Sequence, residues 1–222
     1  METGEGNAML EGRSATGSKS ARYSREAPEV RRRLLIEAAT RCLEKGGIKA
    51  FTVERIRREA GVSRGLINYY FDSLDDLLVT VYQSALNQSM YQLTERVDGM
   101  PESALATDRL GALVEACFRP GNFDRYTFPV WLALWGEIAK NTKLRDLRRR
   151  YFDSYRRRLA AEIAGVAESR KLTLDASALA RNFMALFDGL WLEWCQDEEA
   201  VAPDEARAAC WDLLESKLGP LR

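Results

Sequence analysis

Apolar residues recur three and four apart along almost the whole chain, and no period-2 run bounded by turn residues interrupts them. That pattern predicts an all-α fold, because a helix buries one stripe whereas a strand buries alternate residues. From Pro28, the residues Val30, Leu34, Ala38 and Cys42 fall four apart, with Leu35, Ala39 and Leu43 widening the stripe. Gly46 and Gly47 end that helix, since glycine adopts the left-handed conformation that helix C-termini need. Thr52 is an N-cap for a short second helix with Val53, Ile56 and Ala60 on one face, and Gly61 stops it. Ser63 opens a third helix that runs to Tyr70. The run Ser73-Leu74-Asp75-Asp76 then starts a fourth, whose buried stripe is Leu77, Leu78, Val81, Tyr82, Ala85 and Leu86. Further helices are predicted over 108–118, 128–140, 144–167, 175–195 and 204–218, with Pro120-Gly121-Asn122 and Ala202-Pro203 the clearest breaks.

Charge is unevenly spread. The whole chain is neutral, yet residues 13–72 hold fourteen Lys and Arg against seven Asp and Glu, leaving the remainder acidic by the same margin. Phosphate binding depends on local cation density, so a basic segment on an acidic body is the distribution expected of a nucleic-acid reader, with a solvated basic face the alternative. The chain has no histidine, which removes His-based triads, H-E-x-x-H zinc sites and the commonest general base. No Gly-rich phosphate loop or nucleophile elbow stands out, so the expectation is not an enzyme and no cofactor. Cys42, Cys117, Cys195 and Cys210 form no C-x-x-C pair and read as buried thiols. No apolar run is long enough to cross a bilayer and no signal-peptide core follows the N-terminus, so a cytoplasmic protein without membrane contact is expected.

Residues 52–70 are two short helices joined by Gly61-Val62-Ser63, and such a turn leaves the second helix projecting from the body. Val53, Ile56, Ala60, Val62, Leu66 and Ile67 can seat the pair on the first helix, freeing Arg64, Gly65, Asn68 and Tyr69 to face outward. Arg64 suits a bidentate contact with guanine, Asn68 suits adenine or phosphate, and Gly65 lets the backbone come close. The hydroxyls of Tyr69, Ser63 and Thr52 suit phosphate oxygens, and the start of the second helix offers unpaired amides to a phosphate. An ordinary helical hairpin with a polar surface is the competing reading.

The run Thr52-Val-Glu-Arg-Ile-Arg-Arg-Glu-Ala-Gly-Val-Ser-Arg-Gly-Leu-Ile-Asn-Tyr-Tyr-Phe71, followed by Leu77-Leu78, closely resembles the DNA-binding signature of the tetracycline-repressor (TetR) family. The resemblance implies that the helix beginning near Ser63 enters the major groove, with Thr52, Ser63, Arg64, Gly65, Asn68, Tyr69 and Tyr70 contacting double-stranded operator DNA. Two positions depart from the family pattern: a usual Tyr is Asn68, and the Lys common after the helix-4 cap is Leu74. Farther on, Trp131-Leu-Ala-Leu-Trp135, then Leu144, Leu147 and Leu159, then Phe187-Asp188-Gly189-Leu190-Trp191-Leu192 are similar to the choline-responsive BetI repressors of that family.

Trp131 and Trp135 are four apart, and Trp191 and Trp194 three apart, so each pair can face inward together. A cavity lined by Trp131, Trp135 and Trp191 would suit a small cationic effector such as a quaternary ammonium, with Asp188 or Glu137 as countercharge. Filling of core or dimer interface is the other use for these rings. The family implies a homodimer through the last two helices, here carrying Leu179, Phe183, Leu186, Trp211, Leu214 and Leu218. The arginine runs 148–150 and 156–158 read as solvated helix faces.

The expected organisation is an arm over 1–27, a helix-turn-helix DNA-binding domain over 28–73, and an effector-binding and dimerisation domain over 74–222. The arm has only Met9, Leu10 and Tyr23 as sizeable apolar groups and is expected to be disordered, with Arg13, Lys19, Arg22 and Arg25 available to DNA or simply solvated. The rival from another class is a helical enzyme or small-molecule carrier whose basic hairpin is incidental. Repression and activation are not distinguished by these residues.

Overall fold

The computed structural model describes residues 28–221, and every regular element among them is a helix. The expected arm, with Arg13, Lys19, Arg22 and Arg25, lies outside the described residues. The order is α1 (Pro28–Ala50), α2 (Val53–Ala60), α3 (Arg64–Tyr70), α4 (Leu74–Asp98), α5 (Ala106–Cys117), α6 (Phe128–Ile138), α7 (Thr142–Ser169), α8 (Ala176–Gln196) and α9 (Pro203–Leu218).

The punctuation follows from local chemistry. Helical geometry breaks at Gly46 and Gly47, the latter at φ 59° and ψ −156°, a conformation only glycine adopts easily. One further turn then carries the chain to Thr52. The Thr52 hydroxyl accepts from the Arg55 amide at 3.3 Å, and Gly61, left-handed at φ 68°, closes α2. Ser63 opens α3 from an extended backbone, but its hydroxyl makes no capping bond. Ser73 caps α4 by accepting from the Asp76 amide at 3.0 Å, and Asp175 caps α8 by accepting from Ala178 at 2.9 Å.

Three apolar clusters fill the interior. The first joins Leu35, Ala39 and Leu43 of α1, Ile56 of α2, Ile67 of α3 and Leu77, Val81 and Tyr82 of α4 to Val130 and Leu134 of α6 and Leu144 and Leu147 of α7. It runs across position 73, so the N-terminal helices are seated on α4, α6 and α7 through one continuous core. The second packs α5, α7, α8 and α9 around Leu110, Leu113, Leu159, Ile163 and Phe183. The third is aromatic, with Phe123 and Trp191 at its centre. Trp131 packs against both the first and the third.

The residues expected to face a second copy are mostly turned the other way. Leu179, Phe183, Trp211, Leu214 and Leu218 are all buried within the chain, because α8 and α9 close over α5 and α7, and Leu186 is only half-buried. What α8 and α9 leave outside is small, polar or charged: Arg181, Asn182, Ala185, Gly189 and Glu193 on one, Arg207, Ala208, Asp212, Ser216 and Lys217 on the other. All four cysteines are buried free thiols. The arginine runs sit on solvated faces with local acids: Arg158 donates to Asp98 at 2.8 Å, Arg149 lies 3.8 Å from Asp146, and Arg156 pairs with Asp153. No helix among the described residues is long and apolar enough to cross a membrane.

Candidate functional site

The α2–α3 pair is held by its inner side alone. Ile56 and Ile67 are buried in the first cluster, with Val53, Ala60 and Val62 packed at its edge. Glu59 of α2 accepts from Arg41 at 2.8 Å and from Lys45 at 2.7 Å, tying α2 to α1. This leaves Thr52, Ser63, Arg64, Gly65, Asn68 and Tyr69 exposed together along one edge. Arg64 makes no hydrogen bond or ion pair with the described residues, so its five donors face solvent. Tyr69 is 78% exposed, and its ring meets Tyr70 edge-on at 5.0 Å. Tyr70 differs from the others: it is half-buried and packs against the first cluster, with part of its surface left outside. A helix with one buried side and a polar, partner-free edge can lie in a nucleic-acid groove, because its donors need not break intramolecular bonds to reach bases or phosphates.

A cavity of about 100 Å³ lies among α4, α6, α7, α8 and the loop before α6. Trp131, Trp135, Asp188 and Trp191 all line it. The Trp131 and Trp135 rings are 6.5 Å apart, and Trp135 meets Trp191 edge-on at 5.8 Å, so the three indoles form a continuous wall. Trp194 does not join them. It stacks on Phe123 at 5.0 Å, since a three-residue step on α8 turns it toward the loop. Glu137 is no countercharge either, for it pairs with Lys140 at 3.5 Å beside a separate depression near Asp75. Sequence reasoning missed Ser89, Met90, Asn122, Phe152, Tyr155 and Phe187, which also line it. The apolar stripe of α4 was legible, but which of its turns would border a void was not.

Polar groups in the wall are few and mostly committed. Asn122 donates to the Ala116 carbonyl at 2.9 Å and accepts from Ser89 at 3.4 Å, fixing the loop in which Gly121 stands at φ 94°. The Trp191 indole donates to the Asp124 carbonyl at 3.0 Å. Asp188 makes no hydrogen bond or ion pair with the described residues. Burial pushes its carboxyl up to about 6, only partly opposed by the Arg148 guanidinium, which sits 4.2 Å over the Phe152 ring. Burial likewise holds Tyr82 up to about 12 and Tyr155 well above its ordinary range, so both stay neutral beside Asp188. A lone carboxylate among indole faces attracts a cation and offers nothing to an anion.

An exposed helix-turn-helix edge at one end of an all-helical body with its own small-molecule cavity defines a DNA-binding transcriptional regulator. Residues 35–81 match the model of bacterial regulatory proteins of the tetR family, and residues 106–219 match that of the BetI-type transcriptional repressor C-terminal domain. The chain belongs to the TetR family, with a C-terminal half of BetI type. It is 33% identical to the HTH-type transcriptional regulator BetI 2 of Chromohalobacter salexigens, covering 85% of this chain and 89% of that one. Against BetI of Vibrio vulnificus the identity is 28%, over 86% and 94% of the two chains. Among solved structures, a transcriptional regulator from Pseudomonas aeruginosa superposes with TM-score 0.80 at 32% identity, covering 90% and 95% of the two chains. A regulator from Saccharomonospora viridis in complex with choline gives TM-score 0.73 at 27% identity, over 84% and 96%.

Proposed function

We propose that this protein is a cytoplasmic, ligand-controlled repressor that binds a near-palindromic operator as a homodimer and is released by a small organic cation. In this reading residues 28–73 form the DNA-binding unit, with Thr52, Ser63, Arg64, Gly65, Asn68, Tyr69 and Tyr70 at bases and phosphates. Residues 74–222 hold the effector at Trp131, Trp135, Asp188 and Trp191 and carry the dimer face. The observation that carries it is Asp188: a carboxylate without a hydrogen bond or ion pair among the described residues, desolvated beside a continuous indole wall. Each indole face adds about 0.5–2 kcal/mol to a bound cation. An apolar cavity of ~150 Å³ takes a molecule the size of benzene, so a space of this order suits a compact ammonium ion. Choline, seen in the Saccharomonospora viridis relative, is the first ligand to try.

Dimerisation follows from the reading task, since two recognition helices about 34 Å apart are needed to read both halves of a palindrome. Ala185 and Gly189 of α8 and Ala208 of α9 are small residues on exposed faces, where a second copy could approach. The test is binding of the purified protein to duplex DNA from upstream of its own gene, with and without choline. Sequence-selective binding by a dimer that choline weakens supports the proposal. A monomer with no preference among duplexes overturns it.

A further inference from the structure

The outer side of α8 carries a row of exposed residues spaced four apart: Ser177, Arg181, Ala185, Gly189 and Glu193. The charge of this row is antisymmetric about position 187. Arg181 stands as far before that point as Glu193 stands after it, and the small Ala185 and Gly189 flank it equally. Neither the Arg181 guanidinium nor the Glu193 carboxylate makes a hydrogen bond or ion pair with the described residues. They cannot satisfy each other, because the helix between them holds them about 18 Å apart.

Each sign continues beyond its end of the row. Arg181 borders an open groove of about 950 Å³ between α7 and α8, also lined by Arg150, Arg156 and Arg157, and the acid in its wall, Asp153, pairs with Arg156. Past Glu193 the chain turns through Asp197, Glu198 and Glu199, all exposed, and no basic residue follows before Arg207. One end of α8 is therefore cationic and the other anionic.

We infer that the occupant of this face is α8 of a second copy, crossing antiparallel about a two-fold axis at position 187, so that Arg181 of each chain pairs with Glu193 of the partner subunit. The inference rests on the homodimer reading and adds to it the register and the charges that set it. A two-fold interface is self-complementary: if residue i meets j, then j meets i. The antisymmetric row meets that condition at both ion pairs with one axis, and Ala185 and Gly189 leave the crossing point free of long side chains. A parallel arrangement would set Arg181 against Arg181 and Glu193 against Glu193, and like charges in an interface are unfavourable. The groove arginines and the acidic turn lie farther out with the matching signs, so the long-range field favours the same antiparallel register.

The experiment measures the dimer dissociation constant of the full-length protein by sedimentation equilibrium, for the wild type, Arg181→Glu, Glu193→Arg and an equimolar mixture of the two variants. Each variant alone places like charges at both pairs and is expected to dissociate roughly tenfold more readily. In the mixture every reversed charge meets an opposite one, so a heterodimer should form with an affinity within about threefold of the wild type. Misfolded variants would not recover on mixing. A wild-type dimer that neither reversal weakens, or a loss that mixing does not restore, overturns the α8 register while dimerisation stands. A monomeric wild type overturns the register and the homodimer reading together.

Discussion

At the scale of the residue, Asp188 carries the sharpest consequence. Its carboxyl is raised to about 6 by burial, while Tyr82 and Cys117, both held at about 12, and Tyr155, raised well above its ordinary range, stay protonated around it. A cation needs the ionised form, so affinity should rise with pH through the region of 6 and fall about tenfold between pH 7.5 and pH 5. Titration at several pH values reads this directly, and a flat profile removes Asp188 as the countercharge. Stability runs the opposite way. A carboxyl whose folded value lies above its ordinary 3.8 favours the fold fully below that value and loses the contribution as pH rises through about 6. Asp188→Asn should therefore stabilise the ligand-free protein at pH 7.5 by about 1–2 kcal/mol while abolishing tight cation binding. Thermal melts at pH 7.5 and pH 4 check the sign, since the gain should vanish at the lower pH. Asp188 was legible because it falls between Phe187 and Trp191 in an aromatic stretch of α8. Phe152 and Tyr155 were hidden in a helix whose arginines dominate its pattern, and only packing shows that their rings reach the cavity.

At the scale of the element, the reading edge depends on α2 and α3 being fixed from below. Arg64 makes no hydrogen bond or ion pair with the described residues, so a bidentate contact with a base costs it no broken bond among them. Arg64→Ala is expected to cost about 1–3 kcal/mol on a matched operator and to flatten preference at one base pair per half-site. Binding to operators altered one base pair at a time measures this, and an unchanged ranking excludes Arg64 from direct readout. Most of this element was readable from end signals: Thr52, Gly61 and Ser73 each stand where a cap is needed and adopt the required backbone or bond. Periodicity was less informative for α8 and α9. It identifies Leu179, Phe183, Trp211, Leu214 and Leu218 as apolar-stripe residues but not what covers them, and the cover is this chain's own α5 and α7 rather than a second copy. The outer face escaped notice because Ala185 and Gly189 carry no apolar signal of their own.

At the scale of the whole molecule, cavity and reading edge share a core rather than a flexible link. Trp131 lines the cavity and packs against the cluster that seats α1 to α4, and α4 passes beneath both. The seam is also polar: Asn141, which caps α7, donates to Asp75 in the first turn of α4 at 2.7 Å, and Arg32 of α1 sits 5.1 Å over the Phe71 ring. A ligand can move this equilibrium only by binding one arrangement of the seam better than the other. Linkage then makes the effect reciprocal, so DNA must weaken the effector by the same factor by which the effector weakens DNA, a factor typically of ~5–150. Val130, buried in the seam one residue before Trp131, tests whether the shared core transmits it. Val130→Ala shortens a side chain in the seam without touching the cavity lining or the reading edge. It is expected to leave choline affinity for the free protein within about twofold, because neither Asp188 nor the indoles lose a contact, while bringing the coupling factor toward one as the seam loosens. Choline titrations against free and operator-bound protein give the factor for both forms. A coupling factor unchanged by Val130→Ala would show that the signal passes elsewhere, with the polar contacts of Asn141 and Arg32 as the next joints to cut.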